Sequence, residues 1–138
     1  MHRLGHRWNT ILALLAMAGA CAVLVPAATA DRRPTKRERT AIKRVALNEC
    51  GDPSCTFHRA RVSTRNARYA WAVVTTEGFS AVLMRRPSKR SRRWRVIGTQ
   101  GGGIAECSYW ERRAPDRVLR DLRVKGLVGS SGEVRTCG

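Results

Sequence analysis

The stretch Tyr69-Ala-Trp-Ala-Val-Val-Thr-Thr-Glu-Gly-Phe-Ser-Ala-Val-Leu-Met84 decides how this sequence folds. Two runs rich in apolar and β-branched residues flank a Thr76-Glu77-Gly78 step, and Gly78 is free to take the backbone angles of a tight turn. The pair reads as an antiparallel hairpin. In the first run Tyr69, Trp71, Val73 and Thr75 share one face, and Ala70, Ala72 and Val74 make the other face apolar too. A strand apolar on both sides belongs in the middle of its sheet. Directly after the hairpin comes Arg85-Arg-Pro-Ser-Lys-Arg-Ser-Arg-Arg-Trp-Arg95, the densest basic segment of the chain.

The pattern extends outward in both directions. Upstream, residues 56–65 alternate, with His58, Ala60, Val62 and Thr64 on one face and Phe57, Arg59, Arg61 and Ser63 on the other. This predicts a half-exposed strand. Downstream, Pro87-Ser88 opens a turn, and residues 92–99 form a fourth strand with Trp94 and Val96 facing away from Arg93 and Arg95. Short connections between four neighbouring strands predict an antiparallel meander. Thr35 starts a helix before it, with Glu38 completing a capping box. Ala41, Ile42, Val45, Ala46 and Glu49 fall at helical spacing, and the helix ends near Asn48, before Gly51. Lys36, Arg37, Arg39, Lys43 and Arg44 occupy its other face. After the meander, residues 104–109 add a short strand carrying Cys107. Pro115 and Asp116 open a second helix over residues 115–124, with Val118, Leu119 and Leu122 on one face. Gly126, Gly129 and Gly132 make the tail irregular. The expected fold is α+β: a four-stranded antiparallel meander with one helix before it and one after it.

The first 30 of the 138 residues belong to no domain. Arg3 and Arg7 precede an apolar run over residues 11–25, and Ala-Thr-Ala30 supplies a small-residue cleavage site before Asp31. This order predicts a secretory signal peptide, leaving a single domain over residues 31–138. An uncleaved anchor and lipid attachment at Cys21 are competing readings. Against the second, Ala18 stands where a larger aliphatic residue is usual, and apolar residues continue past Cys21. No later stretch is long and apolar enough to span a membrane.

The formal net charge is +17, and +15 without Arg3 and Arg7. The excess is almost wholly arginine. Selection for binding anions produces that, because the guanidinium fork matches phosphate and carboxylate; a GC-rich coding bias produces it with no function attached. Cys50, Cys55, Cys107 and Cys137 remain after the leader. An even number in an exported domain predicts two disulfides. The Gly and Pro in Cys50-Gly-Asp-Pro-Ser-Cys55 favour a local bridge, which leaves Cys107 to pair with Cys137. The spacing fits no paired zinc motif, and only His58 offers a nitrogen ligand.

No catalytic constellation is visible. His58 is the sole histidine after residue 30 and sits on a predicted strand. Ser130 and Ser131 have no assignable acid–base partner. Pairs such as Glu106 with Glu111, or Asp116 with Asp121, read as salt-bridge partners among so many arginines. Gln100-Gly-Gly-Gly103 lacks the Lys-Ser/Thr pair of a phosphate-binding loop. No metal or cofactor is expected. The functional candidate is the basic segment, with Arg85, Arg86, Lys89, Arg90, Arg92, Arg93 and Arg95 as anion-binding residues. Such a cluster raises local positive potential and speeds capture of polyanions. Export directs it toward an anionic cell-envelope polymer or an acidic protein rather than cytoplasmic nucleic acid. The bland alternative is a solvated loop whose repulsion deters edge-to-edge pairing. A protein-interaction or inhibitor module using the Cys50–Cys55 ring is a second alternative, and a small hydrolase a third.

Several segments together resemble the small exported proteins of unknown function common in high-GC Gram-positive bacteria. They are the Ala-Thr-Ala30 site, Arg61-Val-Ser-Thr64, Tyr69-Ala-Trp-Ala72, Trp94-Arg-Val-Ile97, the glycine-rich loop with Cys107, and the two helices around Ile42 and Val118. The resemblance implies export and assigns no reaction. One helix followed by an antiparallel meander is also similar to the cystatin-like arrangement. The cystatin inhibitory motifs are absent, so it implies no inhibitory residues here.

Overall fold

The computed structural model describes residues 31–138, so the expected signal peptide and Cys21 lie outside the described residues. Five strands form one antiparallel sheet in the order of the chain: β1 (Asp31–Arg32), β2 (Thr56–Ser63), β3 (Tyr69–Thr75), β4 (Phe79–Arg85) and β5 (Arg95–Gly101). The meander is therefore five-stranded, not four-stranded. The additional strand, β1, is two residues long and pairs Asp31 with Ser63 and Arg32 with Val62. Two residues carry no periodicity, so only pairing with β2 makes them a strand.

Helix α1 (Lys36–Cys50) covers one face. Its capping box is complete: the Thr35 side chain accepts from the Glu38 N–H, and Glu38 accepts from the Thr35 N–H at 3.0 Å. Gly51 ends it in the left-handed region at φ 70°, which a Cβ would disfavour. Ala41, Ile42 and Ala46 pack on Ala60, Val62, Ala70, Ala72, Val74, Val82, Met84 and Trp94.

The C-terminal part of the chain covers the other face. Here α2 (Cys107–Glu111), α3 (Asp116–Leu122) and a hairpin of β6 (Lys125–Val128) with β7 (Glu133–Thr136) are laid over Tyr69, Trp71, Val73, Ala81 and Leu83. Strand β3 is buried on both faces from Tyr69 to Val74, as a central strand should be. Of the expected strand at residues 104–109, only Glu106 pairs, in a single parallel bridge with Leu127, and from Cys107 the chain is helical. Cys107 and Trp110, three residues apart, both turn inward, and only a helix puts that spacing on one face. Trp110 meets the Trp71 ring edge-to-face at 5.1 Å. It fits because β5 carries Gly98 beneath it: a Cβ there would lie 2.8 Å from the indole. The tail is not irregular: Gly129 and Gly132 shape the β6–β7 turn, and Gly126 lies within β6, where a Cβ would collide with the Cys137 sulfur. The second expected helix holds, with Val118, Leu119 and Leu122 buried.

Strand β2 departs from simple alternation. Phe57 pairs with Val74 and Arg59 with Val73, so His58 is an extra residue. This bulge moves Phe57 to the α1 face alongside Ala60 and Val62, opposite to the expected grouping. Both expected disulfides are present, Cys50–Cys55 and Cys107–Cys137. Among the described residues no helix is long and apolar enough to cross a membrane.

Candidate anion-binding site

The antiparallel register sorts the connections to two ends of the sheet. One end holds the start of β1, the N-terminus of α1, the β2–β3 turn and the β4–β5 loop. The other holds the C-terminus of α1, the Cys50–Cys55 ring, the β3–β4 turn and the glycines after β5. Arginines crowd the first end. Glu49, Asp52 and Glu77 lie at the second. The first end also holds Asp31, Glu38 and Asp121, but each is engaged by neighbouring groups, so the charge exposed there is cationic and suited to attract a polyanion.

Of the seven basic residues expected to bind anions, six reach solvent: Arg85, Lys89, Arg90, Arg92, Arg93 and Arg95 are all exposed. The seventh, Arg86, is 4% exposed and occupied internally. Its guanidinium donates to the carbonyls of Ala67 (2.9 Å) and Ser91 (3.2 Å) and to Glu38 Oε1 (2.9 Å), and lies over the Trp94 ring at 4.6 Å. Arg86 braces the loop from beneath and has no donor left to present outward from Nε.

Two features make the six outward cations chemically available. Among the described residues the ion pairs are Arg32–Glu38, Arg61–Asp31 and Arg86–Glu38, so no carboxylate neutralises the outer loop. The expectation that most carboxylates serve as salt-bridge partners is corrected accordingly. In addition, Arg85 on β4 stands directly opposite Arg95 on β5. Like charges in that position repel, and an anion between them would relieve the repulsion. Arg85 also lies 5.6 Å from the Tyr69 ring centre, which steadies it.

The loop folds over the start of α1. Lys89, Arg90 and Arg92 share a cavity of about 180 Å³ with Arg37, Thr35 and Trp94, and with Glu38, whose carboxylate Arg32 and Arg86 already engage. Arg37 contributes from the helix and is a residue that loop composition alone does not indicate. On the opposite face, Arg65, Arg117 and Arg120 surround a second hollow of about 450 Å³ with Asp121 at its base. The three-residue spacing of Arg117 and Arg120 is visible in the sequence; their meeting with Arg65 is not. Asp121 is 3% exposed and fully engaged, accepting from Ser63 Oγ at 2.5 Å, Thr64 Oγ1 at 3.1 Å and the Arg65 N–H at 3.1 Å. It ties α3 to the β2–β3 turn.

Glu38 is the acidic residue nearest the loop. Both its oxygens accept from Arg32, at 2.7 and 2.8 Å. That fork, with help from the Thr35 amide and Arg86, holds its carboxyl down from 4.5 to about 2. Glu38 therefore stays ionised and occupied with Arg32 and Arg86, leaving the outer cations free.

The remaining candidates are dispersed. His58 is exposed, and its Nε2 contacts Thr75 Oγ1 at the far end of the sheet from the loop. Ser131 donates to the Val128 carbonyl. All four cysteines are bridged, and among the described residues no group of three or more His, Cys, Asp or Glu is placed to hold a metal ion.

No protein-family model, curated protein or solved structure matches this chain.

Proposed function

We propose that this is an exported, non-enzymatic binding protein that holds an anionic polymer of the cell envelope against the β4–β5 loop. The observation that carries this reading is the uncompensated loop. Six exposed cations stand without a carboxylate partner on a loop that Arg86 and Trp94 anchor from below. A charged loop kept only for solubility has no need of a buried arginine beneath it. The brace fixes where the charges stand, and fixed charges lose less freedom on binding. Export is supported by the two disulfides, which persist in oxidising compartments, and by the leader read at residues 1–30. The likeness to small exported proteins of high-GC Gram-positive bacteria belongs to the same reading.

Retention on heparin and on purified cell wall at two salt concentrations tests it. Neutralising Lys89, Arg90, Arg92 and Arg93 to Ser should sharply reduce retention and flatten its dependence on salt. Neutralising Lys43, Arg44, Arg112 and Arg135 removes the same charge elsewhere and should reduce it far less. Equal losses from the two variants would reduce the loop to a share of the overall charge and sink the proposal.

A further inference from the structure

We infer a second binding site, for a short extended acidic peptide, in the cleft between the β1–α1 corner and the outer edge of β2. Strand β2 is eight residues long, but β1 pairs only with its last two, Val62 and Ser63. From Thr56 to Ala60 no strand lies outside β2, so the outward backbone N–H and C=O groups on either side of the His58 bulge have no strand partner among the described residues. Alongside runs a cleft of about 710 Å³ whose walls include Arg33, Pro34, Arg39, Arg59 and Arg61. Arg59 and Arg61 also line a smaller adjoining hollow of about 190 Å³ with Arg123 and Lys125. The open edge is therefore flanked by cations on both faces of the sheet.

The chain already shows how such a peptide would pair. Asp31, on β1, stands opposite Ser63 and its carboxylate accepts from Arg61 at 2.7 Å. A strand on this edge thus places an acid on the face that Arg59 and Arg61 share, because side chains repeat every second residue. The chain then leaves the edge through Arg33 and Pro34 toward α1, before it can meet Arg59 in the same way. Arg33, Arg39, Arg59, Arg123 and Lys125 have no carboxylate within ion-pair distance among the described residues. An incoming antiparallel segment with an acid at every second position would meet them while filling the unpaired backbone, which is recognition by strand addition. The same charges repel a second copy of this chain, so the occupant is another protein's acidic segment. This site is independent of the polymer-binding loop.

The probe is a capped six-residue peptide alternating glutamate and valine, compared with its counterpart methylated at every backbone nitrogen, so that neither edge can pair. Both carry the same charge, but only the first can pair as a strand. The unmethylated peptide should bind about tenfold or more tightly than the methylated one. It should also slow amide hydrogen exchange within residues 56–60. Arg59→Glu should weaken binding about tenfold, while the Lys89, Arg90, Arg92, Arg93 to Ser variant keeps it within about threefold. Equal binding of the two peptides would show simple charge attraction and overturn the inference. So would protection confined to the β4–β5 loop, or no binding at all.

Discussion

Glu38 and Arg86, 48 residues apart in sequence, meet at 2.9 Å behind the cationic loop. Glu38 also caps α1 and grips Arg32 of β1. One carboxylate thus joins the first strand, the first helix and the β4–β5 loop, and the loop's free charges rest on that joint.

Arg86→Ala should destabilise the domain by roughly 2 kcal/mol, because the Ala67 and Ser91 carbonyls lose their donor and Glu38 loses one of its two guanidinium partners. Arg86→Lys should recover only part, since an ammonium cannot reach three acceptors in three directions and still lie flat on Trp94. Urea unfolding measures both. The loop cations should also become less effective in heparin retention, because their support is lost.

The Arg32 fork lowers the Glu38 carboxyl to about 2 from an ordinary 4.5. A carboxylate depressed in the folded state stabilises it fully above the ordinary value, and that stability is lost as pH falls through the folded value. The stability gap between wild type and Glu38→Gln should therefore be constant above about pH 5 and shrink between pH 4.5 and 2. Urea midpoints across that range check it. A gap that holds constant down to pH 2 would contradict the pairing.

The two disulfides close loops of 5 and 30 residues. By loop entropy, removing Cys50–Cys55 costs about 2 kcal/mol and removing Cys107–Cys137 about 3.7. The second loss should be the more damaging in thermal melts, since Cys107 and Cys137 are both buried in the core that Trp110 fills.

Asp121→Ala should cost about 2 kcal/mol, because Ser63 Oγ, which is wholly buried, loses its acceptor. Combined with Ser63→Ala in a double-mutant cycle, the loss in the double variant should fall short of the sum of the two single losses by more than about 0.5 kcal/mol. Additive losses would mean that the two groups do not act together.

The elements with a strong period are legible in the residue spacing alone. The α1 stripe of Ala41, Ile42 and Ala46, its capping box, and the doubly buried β3 all stand where that spacing puts them. Spacing fails where one residue outweighs a pattern. His58 bulges out of β2 and reverses the side on which Phe57 lies. Trp110 pulls residues 107–111 into a helix, because its large ring needs the gap over Gly98. Of the candidate site, the exposed cations are legible as a run, but a run of arginines looks the same whether a side chain points outward or inward. Arg86 differs from Arg85 only in the direction of its side chain.

By itself the sequence determined the two-faced central hairpin, the capped helix and the basic segment, because each is set by neighbours near in the chain; for the four cysteines it indicated a preferred pairing, which the fold bears out. Tertiary structure alone decided which arginines are free. Charge is a local property of the sequence, whereas compensation depends on which carboxylate lies within about 4 Å in space. Glu38 reaches Arg86 across 48 residues and releases the outer loop from any such partner. The open edge of β2 was likewise set in three dimensions, since only the pairing of β1 shows where the sheet stops.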